Sequence, residues 1–118
     1  MLLAGCGSSK VDNATLLHDV QDNHAGEVTV QGRVTAVLPD SNGTDGPHEV
    51  FDLDVSGQTV EIDHNLTLAP RAPVKPGDVV TVHGQFEPDP GHPVIHYTHH
   101  ATGSHPGGWI RLDGHRYW

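Results

Sequence analysis

Residues Glu27 to Leu38 read EVTVQGRVTAVL, and this stretch decides the fold. Val28, Val30, Gly32, Val34 and Ala36 alternate with Thr29, Gln31, Arg33 and Thr35, and Val37-Leu38 closes the run. A period of two is what a strand with one buried face presents. Gly32 in its interior predicts a bend or bulge, as a sheet needs where it curls into a barrel.

Working outward, Pro39 to Pro47 reads as a polar loop and His48 to Val55 as a second strand. That strand sets Val50, Asp52 and Asp54 on one face and Phe51, Leu53 and Val55 on the other. Ser56-Gly57 is a tight turn into a third strand, Gln58 to His64, so Val55 falls opposite Gln58 and His48 beside Asn65. Asn65 to Gly77 holds three prolines and is excluded from a central strand. Lys75-Pro76-Gly77-Asp78 launches a fourth strand, Val79 to Glu87, and Pro88-Asp89-Pro90-Gly91 turns into a fifth, Val94 to His99. The glycine-rich tail, Ala101 to Trp118, ends in a hairpin-like segment at Asp113-Gly114. Upstream, Val11 to His24 predicts a short amphipathic helix with Leu16, Leu17 and Val20 on one face, Asp12 or Asn13 as N-cap and Gly26 as stop. A partly ordered linker is the alternative there.

These elements predict a mainly β fold: a small five-stranded OB-type antiparallel barrel with a short N-terminal helix. An SH3-like barrel shares the strand count but not the irregular link before strand four. The expected organisation is a truncated signal or lipobox, tether and helix over residues 1–26, then the barrel with its C-terminal tail over 27–118.

The chain has 118 residues, the length of one domain, and its single cysteine excludes an intramolecular disulfide. Its 14 glycines and 9 prolines suit a turn-rich β protein. No apolar run reaches the length of a transmembrane helix. A formal charge of −9 with histidines neutral repels phosphate backbones, so nucleic acid is not an expected partner. Divalent cations suit that charge better.

Leu3-Ala4-Gly5-Cys6 resembles the lipobox of bacterial lipoproteins, with Gly7-Ser8-Ser9 as the start of a tether. A basic n-region and most of the apolar h-region are missing before it. The resemblance implies lipidation of Cys6, export, and anchoring to a membrane facing the periplasm or the cell exterior. Two acyl chains give durable attachment where one gives marginal binding.

A second resemblance covers the folded domain. It is carried by His48 to Leu53, Gly57-Gln58, His64-Asn65-Leu66 with Leu68-Ala69-Pro70-Arg71, Gly77-Asp78, Ile95 to His100, His105, and Gly108-Trp109-Ile110 with Gly114 and Tyr117. In order and spacing these resemble an uncharacterised family of small exported bacterial proteins, domain of unknown function 3465, for which an OB-like fold is implied and no activity. Ala101-Thr102 and Leu112 depart from its pattern, and His83, His92 and His115 lie outside it.

Chemistry concentrates in imidazoles. His96, His99, His100 and His105 fall close together, and His48 and His64 are expected as neighbours across the hairpin, with Asp63 or Glu49 beside them. Neutral imidazoles ligate divalent transition metals such as zinc, which makes these six candidate metal ligands. Histidines that merely bond loop carbonyls are the alternative. Ser104 or Thr98 with a histidine offers a conceivable nucleophile and base, but no nucleophile-elbow or phosphate-cradling pattern accompanies them. Arg71 is expected to anchor the irregular link, and Trp109 and Tyr117 to pack the tail. The expected function is an envelope lipoprotein that binds a metal or small ligand. An interaction module docking an envelope protein is the alternative, and a metal-dependent hydrolase stands last.

Overall fold

The structure, a computed structural model, describes residues 10–118. Cys6 and the lipobox lie outside the described residues. One helix, α1 (Asn13–Asp22), precedes seven strands: β1 (Gly26–Gly43), β2 (Gly46–Val55), β3 (Gln58–Asn65), β4 (Val79–Asp89), β5 (His92–His96), β6 (Trp109–Leu112) and β7 (His115–Tyr117). The protein is mainly β, and five of the strands form a ring.

β1 makes the ring by changing partner. Its first part, Gly26 to Arg33, pairs with β4, and from Arg33 to Gly43 it pairs with β2. The ring then runs β2-β3-β5-β4 and returns to β1. The change falls at Gly32-Arg33. There the Asp54 carbonyl passes so close that any Cβ on Gly32 would overlap it. The expected glycine bend is therefore real, and its cause is the approach of a second backbone.

Strand directions correct one expectation. Strands that alternate in direction cannot close a ring with an odd number of members, so at least one contact must be parallel. That contact is β3 with β5, through Glu61 opposite Val94 and Ile62 opposite Ile95. The other ring contacts are antiparallel.

Several boundaries also move. Pro39 to Gly43 belongs to β1 rather than to a loop. The β1–β2 register shifts between Leu38 and Ser41, so Pro39 and Asp40 sit at a bulge where a missing N–H costs no ladder bond. β5 begins at His92 and stops at His96, because Tyr97 takes a left-handed φ of 59° that breaks the pleat. The tail hairpin joins the sheet: β6 pairs with Thr81 to His83 of β4, a stretch that β5 leaves open, and β7 pairs with β6.

The helix starts with Asp12 accepting from the Thr15 N–H (3.1 Å) and stops at left-handed Asn23 rather than at Gly26, which opens β1. It covers the part of β1 that β2 leaves unpaired: the Asp12 N–H donates to the Thr29 carbonyl (2.8 Å), and the Gln31 N–H donates to Asn13 Oδ1 (2.9 Å). Its Leu16 is fully buried in the same core as Val30, Phe51, Leu53, Ile62, Val82, Phe86, Ile95 and Ile110. Among the described residues no helix is long and apolar enough to cross a membrane.

If ring closure at Gly32 depends on space, Gly32→Ala loses about 2 kcal/mol or more of stability by overpacking. Gly43→Ala, which meets nothing within 4 Å, changes it far less. Urea denaturation of the two variants checks the contrast.

Candidate functional site

The hairpin register is the one read from the sequence: Val55 opposite Gln58 and His48 opposite Asn65. Its consequence is the reverse of the expected one. His64 pairs with Glu49, one place on, and successive side chains leave a strand on opposite faces. His64 and Glu49 point inward and are buried, whereas His48 stands on the outer face with Asp63 and Asn65. His48 and His64 therefore do not share an ion.

The two inward groups fasten the irregular link between β3 and β4. His64 Nε2–H donates to the Pro70 carbonyl (2.9 Å), and its Nδ1 accepts from the Thr98 hydroxyl (2.7 Å). A carbonyl only accepts, so this pairing fixes the neutral tautomer. Burial pushes the His64 pKa down to about 4. Glu49 accepts the Ala72 N–H (2.8 Å), and burial raises its carboxyl above the ordinary range. Between these two contacts, Arg71 makes a bidentate pair with Asp40 at 3.0 and 2.5 Å on the surface.

With the link held, a cleft opens beside it. Tyr97, left-handed and 41% exposed, stacks on His105 at 3.9 Å between ring centroids. Backbone conformations of this kind cost energy and concentrate at functional sites. The turn drives His99 inward, where it is 1% exposed and its ring edge faces His105 at 5.0 Å. His99 Nδ1–H donates to the His100 carbonyl (2.9 Å), which leaves Nε2 as an acceptor in the neutral ring. Burial lowers the His99 pKa, and the nearby imidazoles of His105, His100 and His48 add to the effect. A cleft of about 340 Å³ is lined by His48, Asp63, Glu87, His96, Tyr97 and His99, together with loop residues that include Asp45. An adjoining hollow shares Tyr97 and His99 and reaches His105.

A ladder of acids and imidazoles runs away from the cleft along β3 and β5. His92 Nε2 meets Glu61 Oε1 at 3.0 Å, and His96 Nδ1 lies 3.8 Å from Asp63 Oδ2. Asp63 Oδ1 is buried without a hydrogen-bond partner. Burial raises the Glu61 pKa to about 7, helped by the hydrogen bond and charge of Asp63 and opposed by His92.

Of the six expected ligands, the structure gathers His48, His96 and His99 on one cleft, with His105 next door. His64 is in the core. His100 is exposed, with its Nδ1 2.8 Å from the Trp118 carbonyl oxygen. Among the described residues no three His, Cys, Asp or Glu side chains form a ready metal-binding group. The Thr98 hydroxyl is sealed against His64 with both residues fully buried, and Ser104 Oγ meets Thr102 Oγ1 at 3.4 Å rather than an imidazole. Neither is placed as a nucleophile.

Sequence reading missed two arrangements. The Glu61–Asp63–His92 ladder depends on β3 lying beside β5, a contact between strands distant in sequence; the two-residue spacing of Glu61 and Asp63 was its available signal. The other joins three residues across β1 and β4: Thr29 Oγ1 meets His83 Nδ1 at 2.7 Å and His83 Nε2 meets Glu27 Oε1 at 3.0 Å. Trp109 stacks on His83 at 5.8 Å and Thr29 is only 7% exposed, so this row braces the sheet. Trp109 is buried against it, and Tyr117 packs partly buried on the core.

A family model described as "Protein of unknown function (DUF3465)" matches residues 1–118. No curated protein matches the chain.

Two titrations test this electrostatic arrangement. The native state resists protonating His64 while the unfolded chain accepts a proton near 6.5, so stability falls as pH drops from about 6.5 to 4 and this group adds no further loss below that. Its share is about 3 kcal/mol, and His64→Gln removes it from a pH series of denaturation curves. Separately, carbon NMR finds the Glu61 carboxyl titrating near 7, and Asp63→Asn moves it partway back towards 4.5, because burial remains.

Proposed function

We propose that this chain, which belongs to the family of unknown function DUF3465, is a non-catalytic binding module of the cell envelope, anchored by lipid on Cys6, whose cleft takes a small cationic ligand. One observation carries this reading: His48, His96 and His99, from separate segments, meet Asp63 and Glu87 around one cleft. Imidazole nitrogens and carboxylates together accept hydrogen bonds and favour positive charge. The formal charge of −9 draws cations to the same surface.

A divalent transition metal such as zinc and an organic amine share the required chemistry. His99 supplies a lone pair, because its pKa is held below the ordinary imidazole value. An ion that uses several of the imidazoles needs side-chain rotation, since no three donors already converge among the described residues. A small amine that spans the cleft needs less. Pockets of a few hundred Å³ with a few convergent polar groups are common ligand sites. Hydrolysis is left out of the proposal because the two hydroxyls weighed as nucleophiles are not poised for it: Thr98 is sealed against His64, and Ser104 meets Thr102 rather than an imidazole.

Calorimetric titration with zinc chloride and with putrescine, on protein purified without a nickel column, tests the reading. The expected result is one stoichiometric site for at least one probe, weakened about tenfold or more in His99→Ala, a loss of about 1.4 kcal/mol. His115→Ala, on the exposed tail hairpin, leaves it intact. Loose uptake of both probes at many sites, equal in every variant, would overturn the proposal.

A further inference from the structure

The C-terminal hairpin carries a surface unlike the rest of this acidic protein. Arg116 sits between two indoles, 4.5 Å from the Trp109 ring centre and 5.2 Å from that of Trp118. Arg111 lies over Trp109 at 5.1 Å. Pairing Arg111 with Arg116 across β6 and β7 puts both on the outer face, while Ile110 and Tyr117 turn inward. Trp109 is supported from behind by His83, whose other partners are Thr29 and Glu27. Trp118 is 48% exposed.

The chain has six lysines and arginines, of which Lys10 opens the described residues. Arg71 is paired with Asp40, Lys75 is paired with Asp78, and Arg33 donates to the Gly77 carbonyl. Arg111 and Arg116 have no carboxylate partner among the described residues. Stacking occupies the faces of a guanidinium and leaves its in-plane N–H groups directed outward, the geometry that grips phosphate oxygens. An exposed indole beside them is the side chain enriched at the level of lipid headgroups.

The start of the described chain lies near this surface. The Asp12 N–H bonds the Thr29 carbonyl, and Thr29, His83 and Trp109 form one row across β1, β4 and β6. Strands lie about 4.8 Å apart, so the Trp109 backbone is about 10 Å from that of Thr29. Lys10 is four chain steps from Cys6, a reach of at most about 14 Å.

We infer that Arg111, Arg116 and Trp118, stacked over the buried Trp109, form a docking face for an anionic phospholipid surface. The face orients the barrel once it is tethered through Cys6, and so the inference rests on the anchored reading above. The net negative charge opposes recruitment from solution. The patch therefore works at short range, choosing which side of a tethered domain meets the headgroups.

The single cysteine and the two tryptophans make the test direct. The 118-residue chain is coupled through Cys6 to maleimide-headgroup lipid, in vesicles of phosphatidylcholine alone or with phosphatidylglycerol, and tryptophan emission is recorded. On phosphatidylglycerol vesicles the emission shifts to the blue and is quenched by lipids brominated near the headgroup. At least half of that response disappears on phosphatidylcholine alone, in about 0.5 M salt, where charges are screened within a few ångströms, and in Arg111→Gln/Arg116→Gln. Arg71→Gln retains it. Trp118→Ala, at an exposed position, provides a second variant should the double substitution unfold.

Emission that is identical on both vesicle types, or unchanged by the arginine substitutions in folded protein, overturns the inference. So does docking of this face onto a protein with no response to lipid. Chemical coupling supplies the tether in every arm, so failure here is separate from failure of natural lipidation. Metabolic palmitate labelling of wild type against Cys6→Ser reads the latter.

Discussion

The architecture depends on one strand serving two partners. β1 bonds β4 along its first half and β2 along its second, and the transfer is possible because Gly32 lets the Asp54 carbonyl pass against it. Closure leaves a ring of five, and an odd ring forces one parallel contact. That contact, β3 with β5, sets Glu61 and Asp63 beside His92 and His96. β5 also stands between β3 and β4 in the ring, so the chain needs a connection rather than a hairpin turn from one to the other. The acid–imidazole face and the irregular link thus share a geometric origin.

A link without regular pairing needs its backbone groups satisfied by other means, since buried orphan polar groups cost free energy. His64 and Glu49 meet that requirement from within the core, one accepting from Thr98 and donating to Pro70, the other accepting from Ala72. Each is costly to bury and each is hydrogen-bonded, the condition under which buried polar groups are tolerated. Because Thr98 is held by His64, the chain immediately after β5 is fixed from inside. Tyr97 and His99, on either side of Thr98, are placed by the same bond. The cleft is in this sense a product of core hydrogen bonding as well as of the loop that borders it.

Local pattern carried much of the fold. The alternation from Glu27 to Leu38, the Ser56-Gly57 turn and the burial of Phe51, Leu53 and Val55 were all legible, because each is a property of one strand or one hairpin. Pro39 misled because a proline at a bulge looks in sequence like a proline in a loop. The left-handed Tyr97 left no trace, since tyrosine seldom adopts that conformation and only tertiary packing imposes it. The faces of His48 and His64 were legible in principle. The register was read correctly, and the error lay in treating residues one place out of register as neighbours, when the pleat sends them to opposite sides. The β3–β5 ladder was out of reach because parallel pairing joins segments about 30 residues apart with no turn to set their register.

The ring also separates two chemistries. The cleft draws on the far end of β1, on β2, β3 and β5, with Glu87 from the far end of β4. The arginine and tryptophan face draws on β6 and β7, bonded to the near end of β4 beside the first half of β1. Around the ring, β3 is two strands removed from both β1 and β4. A barrel laid on a membrane by its C-terminal hairpin would therefore meet the headgroups through strands that supply none of the cleft's imidazoles or carboxylates. The charge distribution favours the same pose: Asp63 and Glu87 of the cleft lie on other strands, and Arg111 and Arg116, which have no carboxylate partner among the described residues, are brought to the anionic headgroups. The cleft residues and the hairpin residues are distinct sets, so the two proposed roles place no competing demand on any residue.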